Sequence, residues 1–320
     1  MRKFFPRYNL LIAENAVNQH TLNYEGWGEG FPFIILEVKI IIYLFVFVLG
    51  SCIGSFLNVL IFRIPKHEEF VYGRSHCMSC GHELNWYDMF PIFSFIFLRG
   101  KCRYCGARLS VQYPIIEALN AILWCLCVHL FGLSMIGILT AALLSALIVL
   151  SVIDERTQEI PFGINIFIAV LGAIKLVSEI IAAATVDAFY FLDGMLLDEY
   201  SPMEPISTQT IGIGHILISH ALGFAVVAGV LLLILLISGG AAIGGGDVKL
   251  MAAAGLFLGL RLTIIAFFVG CIAAAVIHLI RMAFFHAGRK LAMGPYLSIG
   301  IGLMALFGSS MVRAYVALVL

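Results

Sequence analysis

Eight long apolar runs constrain this 320-residue chain more than anything else in it. In chain order they cover about 40–62, 114–131, 134–153, 162–183, 211–237, 248–260, 263–280 and 295–318. An uncharged apolar run of about 20 residues is long enough to cross a bilayer as a helix. The chain is 62% hydrophobic and 12% charged, with a mean hydropathy of +1.03. That places it with all-α polytopic membrane proteins of about eight transmembrane helices, well outside the range of soluble domains. The sixth run is the short one: a helix over 248–260 is only about 20 Å long. With a net charge of zero, nothing suggests nucleic-acid binding, and the expected surroundings are membrane lipid.

The runs divide the chain. Residues 1–39 form a mixed tail, polar and aromatic, without the short apolar core of a cleavable signal peptide. The first transmembrane helix is expected over 40–62. Gly50, Ser51, Gly54 and Ser55 give it one face small enough for close helix packing. Asn58, late in the same span, needs a hydrogen-bond partner. Residues 63–113 are the one sizeable polar loop, and 114–320 hold the remaining spans. Lys175 and Glu179, four apart, read as a lateral ion pair on the fourth span. The loop 185–210 is acidic, with no Lys or Arg.

Orientation follows from the positive-inside rule. With the 63–113 loop in the cytoplasm and strict alternation thereafter, Arg63, Lys66, Arg74, Arg99, Lys101, Arg103, Arg108, Arg156, Lys249, Arg281, Arg289 and Lys290 all fall inside, while the basic residues of the N-terminal tail fall outside. The acidic 185–210 loop falls outside. Asp154, after the third span, and Asp247, before the sixth, then reach the cytoplasmic side at similar depth.

Two knuckles, Cys77-x-x-Cys80 and Cys102-x-x-Cys105, lie in the polar loop, each followed by glycine (Gly81, Gly106). Four thiolates in this pattern suit tetrahedral zinc. Four protein ligands close the coordination shell, so such a zinc would be structural. A disulfide or redox pair is the alternative, and a reducing cytoplasm argues against it. His76 and His82 beside the first knuckle read as loop residues.

Asp247 follows Gly244-Gly245-Gly246 between two apolar runs. A carboxylate near a bilayer costs roughly 3 kcal/mol at a helix centre, so its presence asks for a function. The glycines open the backbone to close approach by another chain. If Asp154 and Asp247 meet at about 4 Å, their repulsion at an effective dielectric near 20 is about 4 kcal/mol. The pair would then share one proton, one member serving as general base on water and the other as general acid on a carbonyl. The competing readings are two solvated helix-end charges, or Glu155 or Glu159 in place of Asp154.

These residues carry a resemblance. Gly54-Ser55-Phe56-Leu57-Asn58-Val59 with Arg63 and Pro65, the two knuckles, and Leu98-Arg99-Gly100-Lys101-Cys102-Arg103 follow one family's pattern. So do Tyr113-Pro114-x-x-Glu117, Asp154 with Ile160-Pro161, Gly244-Gly245-Gly246-Asp247-Val248-Lys249, and Gly294-Pro295-Tyr296. The chain resembles the type IV prepilin peptidases, aspartyl membrane proteases of the Gly-x-Gly-Asp type in bacterial inner membranes. The resemblance implies cleavage of the leader from prepilins or pseudopilins on the cytoplasmic face. It also implies N-methylation of the new terminal residue, usually Phe, with S-adenosylmethionine as methyl donor. Asp154 and Asp247 would be the catalytic dyad within 114–320. Cys77, Cys80, Cys102 and Cys105 would hold zinc. No glycine-rich nucleotide fingerprint is present, so the methyl-donor site is not readable. Two other readings stand beside this one: a peptidase that does not methylate, against which the knuckles argue, and a transporter using the two aspartates as a proton relay.

Overall fold

The computed structural model describes residues 31–69, 75–196, 212–240, 243–285 and 291–319. The predicted tail up to residue 30, the acidic loop from 197 onward, and Arg289 and Lys290 lie outside the described residues. Among the described residues, regular structure is helical. The helices are α1 (Phe31–Arg63), α2 (Phe93–Phe97), α3 (Gln112–Phe131), α4 (Met135–Thr157), α5 (Phe162–Leu196), α6 (Ile213–Ile237), α7 (Gly245–Leu258), α8 (Leu260–Phe285) and α9 (Gly294–Val319). Seven of these are long and apolar enough to cross a membrane. The remaining predicted span, the sixth, is α7, which is as short as the sequence requires. The first and fourth predicted spans lengthen into α1 and α5.

The helix ends obey local chemistry. Ser134 caps α4, its hydroxyl accepting the Gly137 N–H at 3.1 Å. The same helix stops at Gln158, whose backbone turns left-handed (φ 56°) and whose N–H returns to the Asp154 carbonyl at 2.8 Å.

The chain forms two compact units. The described parts of the smaller unit are the beginning of α1, the second half of α5 and the first residues of α6. The larger unit, Tyr43–Leu176 with Ser219–Leu320, carries all of the chemistry below. Its centre is α4: 67% of its most apolar window is buried, against 28% or less for α1, α3, α5, α6 and α8. Leu143, Leu150 and Ile153 of α4 meet Leu250, Met251 and Phe257 of α7 and Leu297 and Ile301 of α9 in one core. The other helices turn residues such as Phe224, Leu233, Phe268 and Ile272 outward, as a lipid-facing surface requires.

Buried polar groups tie the bundle. Asn120 donates to the Gly50 carbonyl of α1 at 2.7 Å and accepts from Ser145 of α4 at 2.7 Å, and the Trp124 indole donates to Ser145 at 3.0 Å. In hydrocarbon such groups need internal partners, and these three helices supply them. The predicted small face of α1 does pack closely: a Cβ at Gly54 would lie 2.7 Å from Glu117 Cα.

A helix that stops inside the bundle leaves its last carbonyls without water. Those of α7 are met by side chains from neighbouring helices. His220 of α6 donates from Nδ1 to Leu256 O at 2.7 Å, and Lys175 of α5 donates to Phe257 O at 2.9 Å. The Lys175 ammonium also lies 5.1 Å from the Phe257 ring centroid. The sequence reading of Lys175 as part of a lateral pair left out this bond to α7. The α6–α7 contact is closer still, because a Cβ at Gly255 would stand 2.0 Å from the Gly223 carbonyl oxygen. Gly255→Ala should therefore lower thermal stability in detergent or lipid by about 1–3 kcal/mol. A melting curve unchanged by this substitution would contradict the packing described.

Candidate active site

Asp154 ends the buried part of α4, less than one turn before Thr157. A carboxylate there faces the negative end of its own helix. It is answered by a different helix: the Gly294 N–H, at the start of α9, donates to Asp154 Oδ2 at 2.8 Å. Helix N-termini bind anions in this way. Only glycine fits at 294, since a Cβ there would lie 2.6 Å from the same oxygen.

Asp247 lies in the first turn of α7, where its charge suits the helix dipole. The Gly244 N–H returns a hydrogen bond to its carboxylate. Gly246 lies against Ile160, where a Cβ would come within 2.8 Å of the Ile160 side chain. This contact draws the glycine turn onto the segment that follows α4. Asp154 and Asp247 consequently line one recess of about 340 Å³ with Gln158, Glu159, Ile160 and Lys249. Both aspartates are buried, 5% and 8% exposed. Burial raises the Asp247 carboxyl to about 6, and the charge of Asp154 pushes it the same way.

The two rival carboxylates are exposed where the aspartates are buried. Glu155 turns to Arg281 of α8 at 3.1 Å, and Glu159 is exposed at the rim. Lys249 lies 5.0 Å above the Phe162 ring, so the apolar residue after Pro161 holds a cation beside the recess.

The four cysteines of the polar loop also converge. Their sulfur atoms all lie within 4.8 Å of one another, and Cys77 and Cys105 are 3.9 Å apart. A tetrahedron with metal–sulfur bonds of about 2.3 Å has edges of about 3.8 Å. The two knuckles share one construction. Gly81 N–H donates to Cys77 O at 2.8 Å, and Gly106 N–H to Cys102 O at 3.0 Å, with φ of 68° and 71° at the two glycines. The backbone N–H groups of Cys80 and Ser79 bring the Cys77 thiol down to about 6. Cys105 moves the other way, to about 11: the Ala107 N–H lowers it, but burial and hydrogen bonds with Cys80, Cys102 and Cys77 prevail. Four thiolates this close would persist together only around a cation. The described cysteines are all free, so no disulfide competes.

His76 and His82 are outside this cluster. The His82 ring packs on Tyr104 with centroids 3.7 Å apart. The Tyr104 hydroxyl and the Arg103 guanidinium both bond Asp88, at 3.0 and 2.7 Å. Burial alone would raise the Asp88 carboxyl, but these donors hold it below the usual carboxylate range.

The loop module and the recess open at the same end of the bundle. Arg156, two residues past Asp154, bonds Gln112 at the start of α3 and lies 5.1 Å over the Phe62 ring at the end of α1. Sequence reasoning missed the Gly294 amide, His220 and the role of Lys175. The Gly294-Pro295-Tyr296 motif was visible, but a backbone donor has no side chain to announce it.

Fold and site thus define a multi-pass membrane protein with two buried carboxyls facing one recess and a tetracysteine loop beside it. Residues 48–131 match the profile of the bacterial peptidase A24 N-terminal domain, and residues 204–279 match that of the type IV leader peptidase family. Together the matches span half of the chain; Asp247 lies within the second and Asp154 between the two. Proteins named prepilin leader peptidase/N-methyltransferase align with it along most of its length. The one from Xanthomonas campestris pv. campestris is 29% identical over 83% of this chain and 92% of its own. The one from Bacillus subtilis is 29% identical over 86% and 98%. A relative of the same name from Myxococcus xanthus is 41% identical over 38% of this chain, and that alignment spans about a third (36%) of its own length. No solved structure matches the chain. The chain belongs to the type IV leader peptidase family, and it is a multi-pass bacterial membrane protein. Nothing in these matches supports the transporter reading.

Metal analysis of the purified protein tests the cysteine cluster. One metal ion per chain is expected, falling below about a tenth of that in Cys102→Ser or Cys77→Ser. Full retention by the double variant would remove the cluster as the binding site.

Proposed function

We propose that this protein cleaves the leader from prepilins or pseudopilins with Asp154 and Asp247 as an aspartate dyad, and then methylates the new N-terminus. One observation carries the first half: two buried carboxyls from distant parts of the chain face one recess at the membrane edge.

The pair shares one proton. Both carboxyls accept a backbone N–H, Asp154 from Gly294 and Asp247 from Gly244; burial together with the charge of Asp154 assigns the shared proton to Asp247. Asp154 takes a proton from water as the water attacks the scissile carbonyl. Asp247 gives its proton to the carbonyl oxygen. As the tetrahedral intermediate collapses and its C–N bond breaks, the proton gained by Asp154 passes to the leaving amine, and a hydroxyl proton of the intermediate returns to Asp247. The side-chain-free stretch Gly244–Gly246 leaves room for an extended substrate backbone beside the dyad. The substrate would enter as a membrane helix with its polar leader on the same side as the recess.

That side is assigned to the cytoplasm, in the bacterial inner membrane. The bonds from Arg156 to Gln112, from Arg281 to Glu155 and from Gly294 to Asp154 gather the basic helix ends at one end of the bundle. Such an end faces the cytoplasm by the positive-inside rule. The division into a first span, a loop over 63–113 and a peptidase domain over 114–320 follows the same reading. The tetracysteine cluster suits structural zinc, which would fix the loop and leave no position open for substrate.

The methyltransferase half rests on the names of the full-length relatives. S-adenosylmethionine would supply the methyl from its sulfonium to the neutral terminal amine, the bonding pair staying on sulfur and the amine proton passing to solvent.

Asp154→Asn and Asp247→Asn should each reduce leader cleavage by about 10²–10⁴-fold while the protein keeps its melting temperature. Full cleavage by either variant removes the dyad. The raised Asp247 carboxyl keeps its proton until about pH 6, so kcat/KM for cleavage should fall on the alkaline side as that proton is lost. A profile rising steadily from pH 6 to pH 9 would contradict that role. Intact mass spectrometry of the pilin product separates the two activities: leader loss plus one methyl is expected, and leader loss alone would remove the methylation.

A further inference from the structure

We infer that the methyl donor binds in the cavity between the end of α1 and the tetracysteine loop, with Asn58 and Glu117 at its floor. The inference rests on the methyltransferase reading above and names the site that this reading lacks. The cavity has a volume of about 640 Å³, within the usual size for small-molecule sites. It is separate from the dyad recess.

Its lining has a specific chemistry. Asn58 is 1% exposed, and its Nδ2 donates to the Gly54 and Tyr113 carbonyls at 3.3 Å each. Its Oδ1 is buried without a partner in the protein. Glu117 is 6% exposed; one of its oxygens accepts the Ile92 N–H at 2.7 Å, and its carboxyl also accepts from the Ser55 hydroxyl. A carboxylate offers about four acceptor sites, so these two bonds leave capacity. Two buried acceptors lining one cavity call for a ligand that brings positive charge and hydrogen-bond donors. S-adenosylmethionine brings both, in its sulfonium and its ammonium.

The rest of the cavity suits the rest of that ligand. The Phe62 and Tyr113 rings stack at 5.7 Å with an angle of 24° between them, an aromatic wall for a purine. Arg63, which also lines the cavity, suits the donor's carboxylate. Position argues for the same assignment. Phe62 is the residue under Arg156, and Arg156 is two residues from Asp154. A new N-terminus released at the dyad has a short path to a methyl group held here.

The experiment uses the full-length protein in lipid nanodiscs with S-adenosylmethionine as the probe. Ultraviolet cross-linking followed by peptide mapping should place the adduct on peptides carrying Phe62 or Tyr113. Equilibrium dialysis should give a Kd at least tenfold weaker for Asn58→Leu and for Glu117→Gln, with melting temperature as the check on folding. Where a variant fails that check, the adduct map of the wild-type protein decides. Adducts confined to other peptides, or an unchanged Kd in both folded variants, overturn the cavity and leave the methyltransferase reading standing. No binding by the wild-type protein overturns both.

Discussion

A helix that ends in apolar surroundings must have its last carbonyls answered from within the protein, and this demand positions Asp247. Helix α7 is about 21 Å long by its helical rise. Its far end is fixed by Lys175 and His220, reaching from α5 and α6 to Phe257 and Leu256. With that end pinned and Gly255 locked against Gly223, the depth of the first turn follows, and Asp247 sits in that turn. An ammonium among apolar helices is otherwise costly. Here it meets the negative end of a helix, where it is favourable. The same rule in reverse governs Asp154, whose charge stands at the wrong end of α4 and is met by the first amide of α9.

The recess is therefore assembled from helix ends, and the helices do the aligning. α9 packs along both α4 and α8, so the bond from Gly294 to Asp154 is made between elements already held together. The loop module is fixed separately, by its knuckles and by the Asp88, Arg103 and Tyr104 cluster. It joins the bundle through Glu117, which accepts the N–H of Ile92. Ile92 has a left-handed backbone (φ 62°), unusual for a β-branched residue. The strain is retained because a buried carboxylate needs that donor.

Much of this could be read from the chain because hydrophobic run length is a direct physical signal. The runs located the spans, and the shortness of 248–260 foretold that α7 would differ. The knuckle spacing located a cluster whose sulfur atoms do converge. What stayed hidden were interactions without a sequence period. For Lys175 only the spacing to Glu179 along the helix is visible in sequence; its bond to the Phe257 carbonyl of another helix is not. Glu155 and Glu159 could not be separated from Asp154 by sequence, since all three flank the same turn; burial and the Arg281 partner separate them. Gly294 was visible as a motif, but its function is carried by a backbone N–H.

The two carboxyls are held by different elements, and this bears on how a proposed dyad handles a long peptide. Asp154 is embedded at the centre of the bundle and bonded to a second helix. Asp247 hangs from a short helix whose entrance is Gly244–Gly246, where no side chain fixes the approach except Gly246 against Ile160. A substrate strand entering beside those glycines can shift the Asp247 side without disturbing the α4–α9 core. Catalytic hydrogen bonds often tighten only once substrate is bound. In the proposed dyad the carboxylate bonded to α9 would set the position of the water, and the one on α7 would follow the carbonyl.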